Sequence, residues 1–345
     1  MGIIVRTADL QPARGLLIDV LSRYLTKLYN ERRFDWLYNV SPYGQAKAWL
    51  AVDDESDRVI GAGAAFPRRF YLGDDEIFAW VLGDFCLDPQ YRSLGPALQL
   101  QRACLGVMET NQGAFCYDFP SSSMVAVYKR MGFSVTGKML RLAKPLRVDR
   151  KVREMVASPV AQRLVASVGN RLLRMASPKS RADKNWEVSI QQGPCDEEFT
   201  DLAHEQRGKL GVFVDRSAEY LNWRYLQNPL AHHEIVTARR GGRLVGYGVW
   251  LRTDEDAFIV DIFGEQEPGI VRCLVSEIAA LAQRREVMTL SISISESHRW
   301  LPLFSEMGFR LRDSGPVMIV PSKAFAKKIT PELSGWYLMQ GDRDS

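Results

Sequence analysis

The residues richest in possible chemistry are Arg92-Ser93-Leu94-Gly95-Pro96-Ala97. An apolar stretch, Trp80 to Leu87, precedes them and suits a buried strand, and Asp88-Pro89-Gln90 breaks it. After the turn, Ala97, Leu98, Leu100, Ala103, Cys104, Val107 and Met108 recur at helical spacing. A strand therefore feeds a turn, and the turn opens a helix. A helix mouth presents unpaired N–H groups and the positive end of a dipole, which together suit a phosphate. Gly95 lets backbone approach an anion closely, and Arg92 adds a charged donor. The same letters also describe an ordinary joint with proline at the first helical position.

The elements that must hold this turn are legible around it. Ile3 to Arg6 reads as a strand and Gly15 to Leu28 as an amphipathic helix. Glu31 to Gly44 is aromatic and turn-like, with Phe34, Trp36, Tyr38 and Tyr43 around Pro42. Ala48 to Asp53 and Val59 to Phe66 form a hairpin, and Phe70 to Asp75 and Glu76 to Leu87 extend the sheet. Gly113 to Phe119 is a further strand. Pro120-Ser121-Ser122-Ser123 caps a helix that Gly132 ends, and Val135 to Lys144 closes this half as a strand.

The second half repeats the first. Phe34-Asp35-Trp36-Leu37-Tyr38 matches Leu221-Asn222-Trp223-Arg224-Tyr225, and Pro42 matches Pro229, at a constant shift of 187. Arg58 to Gly63 matches Arg243 to Gly248 at 185, and Val127 to Phe133 matches Leu303 to Phe309 at 176. Matches in order with shrinking shifts imply two copies of one fold. Asp84 recurs as Asp261, whereas Arg92 becomes Gly269, Gly95 becomes Arg272 and Tyr128 becomes Phe304. Glu265 and Glu267 crowd the second turn, where carboxylates would repel a phosphate. The second copy keeps the scaffold and loses the chemistry.

Composition excludes several classes. No apolar run approaches 18 residues, and the N-terminus lacks a signal-peptide pattern. Arg6 stands where N-myristoylation needs Ser or Thr. Five scattered cysteines without CxxC spacing read as reduced residues of a cytoplasmic protein, and no metal site is indicated. The net charge of +4 hides an asymmetry, because Arg141 to Asn185 holds twelve Lys/Arg against three acids and the remainder carries −5. That local basicity argues against a nucleic-acid partner. Within it, Ala161, Leu164, Val165, Val168, Leu172 and Met175 share one helical face, with Arg163, Asn170, Arg171 and Arg174 on the other. Such a helix packs its apolar stripe on a neighbouring domain or makes weak contact with an anionic membrane through residues 160–176. Ser177-Pro178-Lys179-Ser180 reads as a linker, and the polar tail with Gly335-Trp336-Tyr337-Leu338 and Gly341-Asp342 as a surface segment whose Trp-Tyr pair can fold back over a domain or cleft.

The first copy resembles the GNAT acyl-CoA N-acyltransferase superfamily. The resemblance rests on the strand Val81 to Leu87 with Gln90-Tyr91-Arg92-Ser93-Leu94-Gly95-Pro96-Ala97, which fits that family's Gln/Arg-x-x-Gly-x-Gly/Ala turn. It rests also on Ser122 to Phe133, similar to the family's final helix with its tyrosine at Tyr128, and on the order of elements. The resemblance implies an α/β (α+β) protein of two tandem GNAT-like domains, each a mixed, mostly antiparallel twisted sheet flanked by helices. The implied division is 1–145 catalytic, 146–185 basic helical linker, 186–322 degenerate copy and 323–345 tail. Two departures stand out: Pro96 removes an N–H from the turn, and Ser122 replaces a common Asn.

That resemblance implies acyl transfer, with acetyl-CoA as co-substrate, to the amine of a small molecule or sugar in a ternary complex. Phe85, Cys86, Leu87, Arg92, Ser93, Leu94, Gly95, Ala97 and Ser122 would hold the CoA, with a β-strand N–H near Phe85 to Leu87 at the thioester carbonyl. Asp84 is the first candidate general base and Asp118 the second, although the recurrence of Asp84 as Asp261 favours a structural role. Tyr128 would protonate the leaving thiolate or hold the thioester. Alternatives are aminoacyl or long-chain acyl transfer on the same tandem fold, or a non-catalytic CoA-binding or assembly module.

Overall fold

The computed structural model describes residues 2–344 apart from 28, 112, 177–185 and 329–332. Leu28 and the Ser177–Ser180 linker expected from the sequence lie outside the described residues. The first half begins with β1 (Ile3–Ala8), α1 (Leu10–Tyr24) and α2 (Glu31–Phe34), which continues as a π-turn through Asp35–Asn39. Next come β2 (Lys47–Asp53), β3 (Val59–Leu72), β4 (Asp75–Leu87), α3 (Leu94–Leu105) and α4 (Val107–Asn111). Then follow β5 (Phe115–Asp118), α5 (Ser122–Arg130), β6 (Gly137–Pro145), α6 (Asp149–Met155) and α7 (Pro159–Ala176).

The second half runs through β7 (Glu187–Ile190), α8 (Glu197–Glu205), β8 (Val212–Val214) and α9 (Ala218–Leu221), again ending in a π-turn, Asn222–Leu226. It continues with β9 (His233–Arg240), β10 (Arg243–Arg252), β11 (Asp256–Gly264) and α10 (Pro268–Arg284). β12 (Thr289–Ser295), α11 (Leu301–Glu306), β13 (Arg310–Pro321) and the short β14 (Trp336–Tyr337) complete it. The aromatic stretch after Glu31, expected as a turn, is thus helical in both halves.

The sheets form one ribbon in the order β1-β2-β3-β4-β5-β13-β6-β12-β11-β10-β9-β7, mixed and mostly antiparallel. Its middle shows an exchange. β6, expected to close the first half, pairs with β12 of the second, and β13 pairs with β5 of the first. The exchanged strands also pair with each other, so the core is continuous across the halves. The repeated tryptophans mark the pseudo-symmetry: Trp36 and Trp223 stack at 5.4 Å. Trp36 Nε1 donates to the Trp223 carbonyl at 2.9 Å, and Trp223 Nε1 donates to the Trp36 carbonyl at 3.2 Å.

The tail's Trp-Tyr pair does fold back, and the surface placement of the rest is corrected. Trp336, Tyr337, Leu338 and Met339 are buried rather than superficial, and β14 pairs with β8. Buried Asp342 meets buried Arg216 at 2.6 Å, and Arg216 also holds Asp261 at 2.7 Å. The apolar run 336–339 is drawn inward by burial, and Asp342 behind it is held because an unpaired buried guanidinium is costly and a second carboxylate offsets that cost.

Candidate active site

β4 runs antiparallel to β3 until its C-terminal end, where Ala62 faces Cys86 but Ala64 faces Gly83. This bulge places Asp84 at φ 48, in the left-handed region. Asp261, its repeat partner, is not among the positive-φ residues described. On the other side β4 pairs with β5 only at Trp80–Cys116 and Val81–Tyr117. Beyond those rungs the two parallel strands part.

A groove of about 440 Å³ lies there. Phe85, Cys86 and Leu87 of β4 line it with Arg92, Ser93, Leu94 and Ala97 of the turn. Tyr24 and Leu25 from the end of α1 wall one side, and Ser121, Ser123, Met124 and Val127 of α5 wall the other. Seven of the nine residues proposed from sequence for the cofactor therefore share one cavity. The other two lie beside it without lining it: Gly95 follows Leu94 in the helix mouth, and Ser122 starts α5 between Ser121 and Ser123, which line the groove.

The helix mouth begins at Leu94, two residues earlier than the sequence suggested, with Ser93 as an uncapped N-cap. Pro96 is therefore the third helical residue, where its missing N–H would have found no intrahelical partner. Ala97 N–H is taken by the Ser93 carbonyl at 3.3 Å, while those of Leu94 and Gly95 have no acceptor among the described residues. A Cβ added at Gly95 would meet nothing within 4 Å. No packing demands glycine there, so the open space is available to an external group. Arg92 is aimed by two carbonyls, Leu87 at 3.0 Å and Tyr24 at 3.4 Å, and no described carboxylate neutralises it. These features fit a pyrophosphate.

The second copy shows the opposite at α10. A Cβ on Gly269 would collide with the Trp186 ring, which occupies the helix mouth. Glu265 and Glu267 are themselves tied up by Arg240 and Arg243. An indole and two ion-paired carboxylates stopper this mouth.

The candidate acid–base residues fare differently. Asp84 accepts from Arg33 Nη2 at 2.8 Å, Tyr29 OH at 2.7 Å and Tyr38 OH at 2.9 Å. Asp261 likewise takes Tyr225 OH at 3.2 Å and Arg216. Each staples its β-strand to the π-turn tyrosine of its own half, a structural duty shared by the two copies. Asp118, half-buried at the end of β5, accepts from Tyr128 OH at 2.8 Å. Burial pushes its carboxyl up to about 7, helped by the charge of Asp344 and opposed by the Tyr128 hydrogen bond. Tyr128 is fully buried, receives Gln101 Nε2 at 2.7 Å and lies outside the groove lining. Desolvation, with Asp118 beside it, raises that phenol well above its usual range. The Tyr128 hydroxyl, expected from sequence at the thiolate, is directed to Asp118 in this structure.

Residues missed from sequence include Arg33, Gln101, Asp344 and Arg343. A Cβ on Gly83 would strike the Asp344 carboxylate, so the tail lies directly over the β4 bulge. Burial and the nearby Asp84 charge raise the Asp344 carboxyl. Arg343 sits over the Phe119 ring at 5.1 Å. No local signal in a polar tail announces such placement. Among the described residues no cluster of three His, Cys, Asp or Glu side chains could hold a metal, and no helix is long and apolar enough to cross a membrane.

A bulged strand feeding an open helix mouth, walled by a later helix, is the arrangement that the resemblance to GNAT acyltransferases implies. Residues 8–136 match the family model described as an acetyltransferase (GNAT) domain. No curated protein sequence matches the chain. Solved structures share its fold over both halves. One is a probable N-acyltransferase from Enterococcus faecalis, with TM-score 0.66, 12% identity, and coverage of 92% of this chain and 72% of that one. A GCN5-related N-acetyltransferase from Anabaena variabilis is similar at TM-score 0.66, 14% identity and the same coverages, 92% and 72%. Saccharomyces cerevisiae N-myristoyltransferase with bound myristoyl-CoA gives TM-score 0.61 and 9% identity over 92% of this chain and 82% of that one.

Proposed function

We propose that this chain is an acyl-CoA-dependent N-acyltransferase, with acetyl-CoA as co-substrate and the amine of a small molecule or amino sugar as acceptor. The observation that carries this reading is the contrast between the helix mouths: one open beside Arg92 and Gly95, the other stoppered by Trp186. Leu94 and Gly95 N–H and the Arg92 guanidinium hold the pyrophosphate, and the β4 bulge at Gly83–Cys86 directs backbone toward the thioester carbonyl.

An ammonium acceptor must first lose a proton, which costs about 4.6 kcal/mol at pH 7 for a pKa near 10.4. Asp118, with its carboxyl at about 7, takes that proton through water. Tyr128 and Gln101 fix the Asp118 carboxylate and are positioning residues. The amine nitrogen then bonds to the carbonyl carbon, the C–S bond breaks, and the thiolate leaves to be protonated from solvent.

Calorimetric titration with acetyl-CoA and longer acyl-CoAs, followed by thiol release against a panel of amines, tests this reading. Saturable binding and turnover of at least one amine are expected. No heat with any acyl-CoA overturns it. Binding without turnover across the panel puts the non-catalytic module ahead.

A further inference from the structure

The basic helix α7 is seated in reverse of what its sequence suggests. Its inward face is the small and polar one. Asn170 Oδ1 accepts Val148 N–H at 2.8 Å, and Nδ2 donates to Asp149 at 2.8 Å. Gln162 Nε2 donates to the Val156 carbonyl at 2.6 Å. Ala166 is buried, and a Cβ on Gly169 would fall 2.6 Å from Val148 Cγ2, so the helix backbone lies tight against the preceding loop.

That seating turns the apolar stripe outward. Val160 is 71% exposed, Leu164 65%, Val168 61% and Val165 48%, and Met155 at the end of α6 is 82% exposed. The expectation that the stripe packs on a neighbouring domain is therefore corrected. The side chains of Leu172, Arg174 and Met175, which the sequence also assigned to this helix, lie outside the described residues. Exposure of one or two apolar side chains is ordinary, but a run at i, i+4 and i+8 is a surface awaiting a partner.

The charges say which partner. At 100° per residue Arg171 lies at the edge of the stripe beside Val160 and Leu164; it is exposed and has no described ion pair, nor has exposed Lys151 on α6, whereas Arg163 falls beside Asn170 and lines the cleft with Arg147 and Asp149. The helix itself carries no acidic residue. By contrast Arg147, Arg150 and Arg153 are bound to Asp149, Glu255, Asp256 and Glu286. Two copies of this chain meeting stripe to stripe would bring like cations together. We infer that α7 is an interfacial docking helix that lays Val160, Leu164, Val165 and Val168 onto an anionic lipid surface, with Arg171 and Lys151 at the headgroups.

Co-sedimentation with vesicles tests this, using phosphatidylcholine alone and phosphatidylcholine mixed with phosphatidylglycerol. The protein is expected to pellet with the mixed vesicles at low salt and to be released at about 1 M salt, where the screening length falls to ~3 Å. Removing cations in K151A/R171A should weaken partitioning about fivefold per charge. L164E/V168E, at exposed positions that leave the fold intact, should abolish it, and L164W should shift its emission to the blue on mixed vesicles. The inference is overturned if the protein stays in the supernatant. It is overturned too if L164E/V168E pellets like the parent, or if sedimentation velocity shows a dimer that L164E/V168E dissociates. The last outcome would make a second copy the occupant.

Discussion

Replacing Arg92 by glutamate tests the phosphate assignment at the residue whose charge it depends on. The guanidinium is oriented by the Leu87 and Tyr24 carbonyls but neutralised by nothing described, so its charge is available to a ligand. One charge-assisted hydrogen bond to phosphate contributes about 1.5–3 kcal/mol. Reversing the sign adds repulsion of ~1–3 kcal/mol, for charges roughly 5 Å apart at an effective dielectric between about 20 and 80. Together these predict a loss of about 3–6 kcal/mol, or roughly two to four orders of magnitude in Kd for acetyl-CoA. Arg92→Gln, which removes attraction without adding repulsion, should lose about one to two orders. Arg102→Glu, on α3 but outside the groove lining, is the control and should bind as the parent does. The assay is isothermal titration at low and high salt, with the thermal midpoint confirming that each variant folds. An Arg92→Glu protein that folds and binds within about threefold of the parent refutes the reasoning.

Three further outcomes are expected. Because the Asp118 carboxyl lies at about 7, kcat should rise with pH through that value. Asp118→Asn should flatten the profile and cost about 10²–10⁴-fold in rate, while an unchanged profile would remove Asp118 from the reaction. Arg216→Met leaves Asp261 and Asp342 buried without their cation. It should destabilise by about 3–5 kcal/mol, read by chemical denaturation, and a loss below ~1 kcal/mol would contradict the tail anchor. Burial holds His233 down to about 4 and His298 to about 3. Both rings are neutral when folded and gain protons on unfolding below about 6.5, so their contribution is full above that pH and is lost as pH falls toward 3–4. Denaturation midpoints should therefore drop between pH 6.5 and 4, by at most about 1.4 kcal/mol per pH unit for each group, and H298Q should shallow the slope.

The chain's own sequence determined the features that depend on local pattern and on internal comparison. Strand-turn-helix order around Arg92 and Gly95 follows from hydrophobic periodicity and turn chemistry, which act over a few residues. The repeat supplied a control for function, because loss of Arg92, Gly95 and Tyr128 in the second copy separates chemistry from scaffold. Tertiary structure decided whatever depends on which surfaces meet. The exchange of β6 and β13 was invisible because a strand's pattern specifies its buried faces and not its neighbour. Asp84 and Asp118 look alike as letters. One is committed to Arg33 and two tyrosines, while the other is desolvated beside Tyr128, and that difference exists only in three dimensions. Asp342 reads as a surface residue until Arg216 is placed beside it, and only the fold sets Asp344 over the β4 bulge. For α7 the amphipathic period was correct and its direction was not. Asn170, Gln162 and Gly169 find hydrogen bonds and close contact with the body, and that satisfaction outweighs burial of the stripe.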